Sequence, residues 1–171
     1  HIAKRMNSLK IKIEKNLKLV HPNAEAISFS QKKIISKAFN VEKTPMVYGS
    51  TECHIASECS RNIMHINMSN CFVETINNEL VLTVFDTFAH PFIRYKIGDY
   101  GKLQKNYSCE CGIESDVLLS LEGRTSERLI IEDKIITHPM INMLIQQFDS
   151  KNDIIAYQLF HEKGFLVLNI H

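Results

Sequence analysis

The middle of the chain, from about residue 53 to residue 122, consists of short runs in which apolar and polar residues alternate, with few helical stripes. Residues 71–76 and 80–85 are two such runs, and Asn77-Asn78 between them is typical of a tight hairpin turn because asparagine tolerates positive φ. Alternating runs also occur at residues 65–68, 91–95 and 102–104. The pattern predicts a small antiparallel sheet or barrel.

The first quarter of the chain has a different pattern. An apolar stripe at steps of three and four residues over positions 2–17 predicts an amphipathic helix, and Ser28 or Ser30 can cap a second helix. Short extended runs follow at residues 17–20 and 44–48. This order of helix and strand is typical of a parallel α/β layer, and so few strands cannot close one. We therefore expect the end of a larger α/β subdomain here.

The last third of the chain follows a polar string, Gly123-Arg124-Thr125-Ser126-Glu127. The pattern of apolar residues after this string predicts a strand pair, then a helix over 140–148 behind Pro139, then a hairpin of residues 154–161 and 164–170. The fold class is therefore α/β plus α+β. Its predicted parts are the end of a parallel α/β layer (1–52), a small antiparallel β-barrel subdomain (53–122), a linker (123–127) and a truncated small α+β C-terminal domain (128–171).

The composition excludes several classes of protein. The 171 residues hold twenty Lys and Arg against nineteen Asp and Glu, a formal net charge of +1, so no global field favours nucleic acid or an anionic membrane. No apolar run approaches the roughly 18–20 residues that span a bilayer. Five cysteines at irregular spacing suit a reducing cytoplasm better than a secreted disulfide framework. We expect a soluble cytoplasmic protein that binds neither nucleic acid nor membrane.

Three short strings carry residues suited to binding a nucleotide. In Tyr48-Gly49-Ser50-Thr51-Glu52, an aromatic face can stack on a base, a hydroxyl can bind a phosphate oxygen and a carboxylate can hold Mg²⁺. Asp99, which follows Gly98, can accept hydrogen bonds from two vicinal ribose hydroxyls. Arg124 can contact a ribose or a phosphate. Taken singly, the strings also fit a capped turn, a hairpin turn and an ordinary linker.

Cysteine and histidine side chains form a fourth candidate site. Three thiolates and one imidazole, from Cys59, His65, Cys109 and Cys111, can close a tetrahedral structural zinc site. The Cys-x-Cys spacing is tighter than that of zinc fingers. From the residues alone, buried free thiols fit this pattern as well.

The order of these strings resembles the adenylate-forming acyl-CoA ligase superfamily, and most of all its phenylacetate–CoA ligase branch. Tyr48 to Glu52 matches Tyr-Gly-x-[Ser/Thr]-Glu, Pro91 to Asp99 resembles Pro-Leu-Ile-Arg-Tyr-Arg-Thr-Gly-Asp, and Gly123-Arg124 with Leu129-Ile130-Ile131 resembles Gly-Arg-x-x-Asp-x-Leu-Ile-Ile. The resemblance covers roughly residues 17–171. The same branch carries Glu-Cys…His and Cys-x-Cys-Gly strings in corresponding places, which implies Zn²⁺ at the four residues of the fourth site.

The resemblance also implies a role for each nucleotide-binding residue. Tyr48 would stack on adenine, in one loop with Gly49 and Ser50. Two residues would be catalytic, with Thr51 binding the AMP phosphate and Glu52 ligating Mg²⁺. In the remaining strings, Asp99 would hold the ribose hydroxyls, Arg124 would lie near the ribose, and Glu127 would be the hinge before the C-terminal domain.

The activity that the resemblance implies is that of a bacterial AMP-forming acid–CoA ligase. Such an enzyme activates a carboxylic acid, in this branch an aryl acid, with ATP as an acyl-adenylate and transfers the acyl group to coenzyme A. The sequence has no Ser/Thr/Gly-rich phosphate loop, no late Gly-Lys string and no initiator Met, so we expect a C-terminal fragment that is inactive alone. The alternatives are a ligase that transfers to a carrier protein, and a noncatalytic zinc-stabilised binding or scaffold module.

Overall fold

In the computed structural model, the described residues are 2–13, 17–23, 27–131, 134–148, 154, 156–162 and 165–171. The chain divides into two compact units. The first contains residues 1–97 and 101–121, and the second contains residues 98–100 and 122–171. Among the described residues, no helix has the length and apolar character needed to cross a membrane.

Two helices begin the first unit, α1 (Ile2–Ser8) and α2 (Phe29–Phe39). The sequence predicts that the first helix reaches residue 17, and this is wrong for the described part of that range. Helix α1 ends at Ser8 because Lys10 adopts a φ of 54°, and the N–H of Ile11 donates to the carbonyl of Met6, which closes the helix terminus. Residues 14–16 lie outside the described residues.

The second helix has the predicted cap. The Ser28 hydroxyl accepts from the N–H of Gln31, whose side chain accepts in return from the Ser28 N–H at 2.9 Å. This reciprocal pair is a capping box, and it satisfies two N–H groups that the helix leaves without partners. At the other end Asn40 takes a left-handed conformation with a φ of 51°. The helix is therefore capped by Ser28, one of the two predicted capping residues.

The predicted parallel layer is reduced to one contact in the described residues. Leu19 and Lys43 form an isolated parallel bridge, so the strand predicted at residues 17–20 is absent. The extended run at 44–48 contributes a short strand at Val47–Gly49, but this strand pairs antiparallel with the next one along the chain. The end of the first segment is therefore joined to the central antiparallel sheet.

Seven strands form this central sheet, in the order β1-β2-β3-β7-β6-β5-β4. Their bounds are Val47–Gly49, His54–Glu58, Met64–Ile66, Cys71–Ile76, Glu79–Val84, Tyr95–Ser108 and Glu114–Arg124 for β1 to β7. The hairpin of β4 and β5 turns at Asn77 and Asn78, which have φ angles of 53° and 65°, as predicted. Residues 91–94, predicted as part of a strand, instead form a loop in which Arg94 has a φ of 51° and donates its N–H to the Thr83 hydroxyl.

The core of the first unit lies on the inner face of this sheet. Ile55, Leu80 and Leu82 are fully buried. The Cys71 Sγ at the start of β4 lies 3.9 Å from the carbonyl oxygen of Ile55 on β2. These strands lie near opposite edges of the sheet, so the contact shows that the sheet curls. The strand order is that of an open antiparallel sheet with β1 and β4 as its edges.

The second unit contains small antiparallel hairpins and one helix. Its elements are a 3₁₀ turn (Thr125–Glu127), β8 (Arg128–Ile131), β9 (Lys134–Thr137), α3 (His138–Phe148), β10 (Tyr157–Glu162) and β11 (Phe165–Ile170). Strands β8 and β9 pair with each other, as do β10 and β11. These elements follow the predicted order of strand pair, helix and hairpin.

Candidate metal centre and nucleotide-binding residues

Four side chains with metal-binding atoms meet at one end of the central sheet. Cys59 follows β2, His65 lies in β3, and Cys109 and Cys111 lie in the turn between β6 and β7. The sulfur and ring nitrogen atoms of the four residues all lie within 4.8 Å of one another. The Sγ atoms of Cys59 and Cys109 are 3.9 Å apart, and the Cys111 Sγ is 3.5 Å from the His65 Nε2.

These distances fit a tetrahedral metal site. Zinc binds thiolate sulfur at about 2.3 Å and imidazole nitrogen at about 2.0–2.1 Å. In a regular tetrahedron such bonds separate two sulfur atoms by about 3.8 Å and a sulfur from a nitrogen by roughly 3.5 Å. The observed separations of 3.9 and 3.5 Å agree with both values. Two donor pairs therefore already lie at the spacing of a closed four-ligand shell, and all four donors lie within 4.8 Å of one another.

Two turns of the same geometry present the thiols. In each turn the cysteine N–H donates to the carbonyl four residues later, and the cysteine carbonyl accepts from the N–H three residues later. The distances are 2.9 and 3.0 Å in the turn at 59–63, and 3.2 and 2.9 Å in the turn at 109–113. Asn62 and Gly112 occupy the fourth position with φ angles of 57° and 88°. The sequence signal is a repeated Cys-x-x-[Asn or Gly]-Ile, which the sequence-based prediction missed.

The surroundings favour the metal-binding forms of Cys59 and His65, but not of Cys109. The N–H of Cys111 lowers the pKa of the Cys109 thiol, yet desolvation and the neighbouring thiols outweigh it and raise that pKa. Desolvation works against ionisation of Cys59, but N–H groups of Arg61 and Ile63 and the neighbouring thiols outweigh it, so the pKa of this thiol is lowered. Burial lowers the pKa of His65, which favours the neutral imidazole. The Arg61 side chain also pairs with Glu110 across the two turns at 3.5 Å.

The first of the three strings that are predicted to bind a nucleotide forms a tight turn between β1 and β2. The N–H of Ser50 donates to the carbonyl of Cys53 at 3.0 Å, and a Cβ at Gly49 would lie 3.1 Å from the same oxygen. Thr51 is exposed and Glu52 is half-buried. The Ser50 hydroxyl oxygen is buried and has no hydrogen-bond partner among the described residues.

In the second unit the structure brings two predicted residues together. The Asp99 carboxylate lies 3.3 Å from the Arg124 guanidinium, with side chains 14% and 65% exposed. The Thr125 hydroxyl donates to the carbonyl of Gly98 at 3.0 Å and fixes the segments that carry this pair. Glu127, the predicted hinge residue, lies 3.9 Å from the ring of His138. The sequence did not predict the ion pair, because its partners are 25 positions apart.

None of the protein-family models compared with this sequence matches it. Solved structures match its fold. A 2-hydroxyisobutyryl-CoA ligase in its postadenylation state superposes with a TM-score of 0.66 at 17% identity, over 81% of this chain and 33% of that one. A variant of E. coli MenE with bound OSB-AMS gives a TM-score of 0.65 at 14% identity, over 99% of this chain and 38% of that one.

The chain therefore shares the fold of part of these solved proteins. A coronafacic acid ligase from Pectobacterium brasiliense also matches, with a TM-score of 0.54 at 16% identity, over 98% of this chain and 37% of that one. Among curated proteins, Protein CapK of Staphylococcus aureus is 27% identical over 168 residues, which cover 80% of this chain and 37% of CapK. The chain spans between about a third and two fifths of the length of these matched proteins.

Proposed function

We propose that the full-length natural protein is an AMP-forming acid–CoA ligase and that this chain supplies part of its nucleotide site. In the first half-reaction a carboxylate oxygen attacks the α-phosphorus of ATP, which gives an acyl-adenylate and releases pyrophosphate. In the second, the thiol of coenzyme A attacks the acyl carbon, AMP leaves and a thioester forms. Adenylation is useful because phosphate is a far better leaving group than a carboxylate oxygen.

The observation that carries this proposal is the Asp99–Arg124 pair in a fold shared with CoA ligases. Asp99 would accept hydrogen bonds from both ribose hydroxyls, and Arg124 would orient that carboxylate from one side at 3.3 Å. The half-buried position of the carboxylate strengthens such bonds, because less water competes for it. We assign Glu127 the role of the hinge at which the C-terminal domain would rotate between the two half-reactions.

In the first unit, Tyr48 would stack on adenine and the exposed Thr51 hydroxyl would bind the phosphate. Glu52 would hold Mg²⁺, whose charge would offset the negative charge that develops on the phosphate oxygens. The unpartnered Ser50 hydroxyl supports a ligand in this turn.

The test is acid-dependent exchange of pyrophosphate into ATP by the full-length natural protein, over a panel of aryl and aliphatic acids. We expect exchange with aryl acids, in keeping with the phenylacetate–CoA ligase resemblance. Asp99→Asn and Glu52→Gln should each reduce it by at least about 10²-fold, the loss typical of a residue that stabilises the transition state. Glu74→Gln is the matched control, because Glu74 forms an ion pair of 3.3 Å with Arg94 elsewhere in the sheet.

Each outcome of this assay separates the candidates. Exchange that survives both site variants would overturn the assigned roles. No exchange with any acid would favour the noncatalytic scaffold. Exchange without coenzyme A thioester formation would favour transfer to a carrier protein.

We also propose that Cys59, His65, Cys109 and Cys111 hold a structural zinc ion. All four positions of a tetrahedron would be filled by protein, which leaves no open position for substrate. The site and Glu52 lie at opposite ends of β2, a strand of five residues that spans about 16 Å. Zinc would thus join two turns of the sheet rather than take part in catalysis.

Metal analysis of the purified protein tests this role. We expect about one zinc ion per chain, lost in Cys109→Ser, whereas Cys71→Ser should retain it because Cys71 is buried in the core outside the cluster. Purified wild-type protein that contains no zinc and takes up none when zinc is added would contradict the assignment.

A further inference from the structure

His65 presents its two ring nitrogens to different partners. Its Nε2 lies 3.5 Å from the Cys111 Sγ inside the cluster, and its Nδ1 lies 2.8 Å from the Ser115 hydroxyl oxygen. Both His65 and Ser115 are buried, with 6% and 9% of their surfaces exposed. A neutral imidazole carries one proton, and only the nitrogen without it can bind a metal. The hydrogen bond at Nδ1 therefore determines whether Nε2 is available.

The Ser115 hydroxyl has one proton, and a second acceptor competes for it. Its oxygen lies 3.0 Å from the main-chain carbonyl oxygen of Asp116, to which it donates. A hydroxyl that donates to this carbonyl must accept from the ring, so the proton of His65 sits on Nδ1. The lone pair of Nε2 then points at the other donors of the cluster.

The carbonyl that directs this proton is itself held in place. The Asp116 side chain is buried, with its two oxygens accepting from the Asn106 N–H at 3.0 Å and from the Lys105 ammonium at 2.7 Å. The Asp116 N–H contacts the sulfur of Met68 at 3.4 Å. Asp116 is thus held by β6 on one side and by the turn after β3 on the other, next to the carbonyl to which the Ser115 hydroxyl donates.

Strand register explains why Ser115 reaches the ring. His65 on β3 lies opposite Val117 on β7, and Ser115 is two positions from Val117. Residues two apart share a face of a strand, so Ser115 is the diagonal neighbour of His65 on the same face.

We propose that Ser115 is a positioning residue that selects the Nδ1–H tautomer of His65 and so prepares Nε2 for the metal. The inference rests on the proposed metal site. Outer hydrogen bonds of this kind typically change metal affinity by about 10–100-fold. Ser115 would not touch the metal, and its whole effect would pass through the ring.

The experiment uses the full-length natural protein with ¹⁵N-labelled histidine and the variants Ser115→Ala and Ser115→Thr. Ser108→Ala is the matched control, because Ser108 precedes a cluster cysteine but its hydroxyl contacts Glu114. Zinc affinity is measured by competition with a chromogenic chelator. The His65 tautomer is read from ¹⁵N shifts of zinc-free protein, assigned with His65→Gln.

We expect zinc binding to weaken by about 10–100-fold in Ser115→Ala and to stay within about threefold of wild type in Ser115→Thr and Ser108→Ala. Zinc-free wild type should show the Nδ1–H tautomer, and Ser115→Ala should lose that preference. Equal zinc affinity in wild type and Ser115→Ala, or an Nε2–H tautomer in wild type, would overturn this inference. A wild-type protein that binds no zinc would instead refute the metal site itself, whatever its tautomer.

Discussion

The ion pair between Lys32 on α2 and Glu58 on β2 offers a quantitative test of the packing beside the turn at residues 59–63. The two side chains are 14% and 8% exposed, and the Lys32 Nζ lies 2.6 Å from the Glu58 Oε2. The same oxygen accepts from the N–H of Met46 at 2.7 Å. Glu58, which directly precedes Cys59, therefore connects α2 to the start of the β1–β2 hairpin.

The magnitudes follow from what each substitution leaves behind. Glu58→Met leaves the ammonium of Lys32 buried without a countercharge, and Lys32→Met does the same to the carboxylate, so each should cost about 3–5 kcal/mol. In the double variant no charge remains, and the main loss is the acceptor of the Met46 N–H, about 1–3 kcal/mol. The double variant should therefore be more stable than either single variant.

A double-mutant cycle in urea, followed by circular dichroism, measures these free energies of unfolding. The control cycle uses the pair Glu74 and Arg94, whose side chains are 31% and 62% exposed and should couple by about 0–1 kcal/mol. Single variants of the buried pair that cost less than about 1 kcal/mol and simply add in the double variant would refute the reasoning.

Two further predictions concern the sheet and the metal. Gly101→Ala should destabilise the protein by about 1–3 kcal/mol, because the new Cβ would lie 2.5 Å from the Ser120 carbonyl oxygen. The control Gln104→Ala, at an exposed position on the same strand, should change stability by less than about 0.5 kcal/mol. Urea unfolding checks this, and equal stability of the two variants would count against the close approach of β6 and β7. Free zinc at about 100 times its dissociation constant should stabilise the protein by about 2.7 kcal/mol, a gain that a chelator abolishes and that Cys59→Ser never shows in calorimetry. An unchanged melting temperature with chelator would contradict a structural metal.

Much of the central sheet could be predicted because its signals are local. Alternation of apolar residues sets which face of a strand is buried, and Asn77-Asn78 permits the positive φ angles that the β4–β5 turn needs. The prediction that the first helix extends beyond residue 8 is wrong, and hydrophobic periodicity gives no sign of the reason. Lys10 adopts a left-handed conformation that ends α1, although its side chain has no special preference for it.

Some contacts of the candidate site could likewise be predicted from the sequence, and others could not. The resemblance placed Cys59 and Cys111 in one zinc site, and the structure brings their sulfur atoms within 4.8 Å of each other. No sequence pattern identified Ser115, because its role depends on the register between β3 and β7. The contact of Asp99 with Arg124 likewise depends on long-range packing in the second unit.

The proposed ligase activity requires that Asp99 hold the ribose of an acyl-adenylate. A crystal structure of the full-length natural protein with a nonhydrolysable acyl-adenylate analogue measures this contact directly. We predict that the Asp99 carboxylate accepts hydrogen bonds from both ribose hydroxyls at about 2.5–3.0 Å. An analogue bound with its ribose remote from Asp99 would contradict the proposed function.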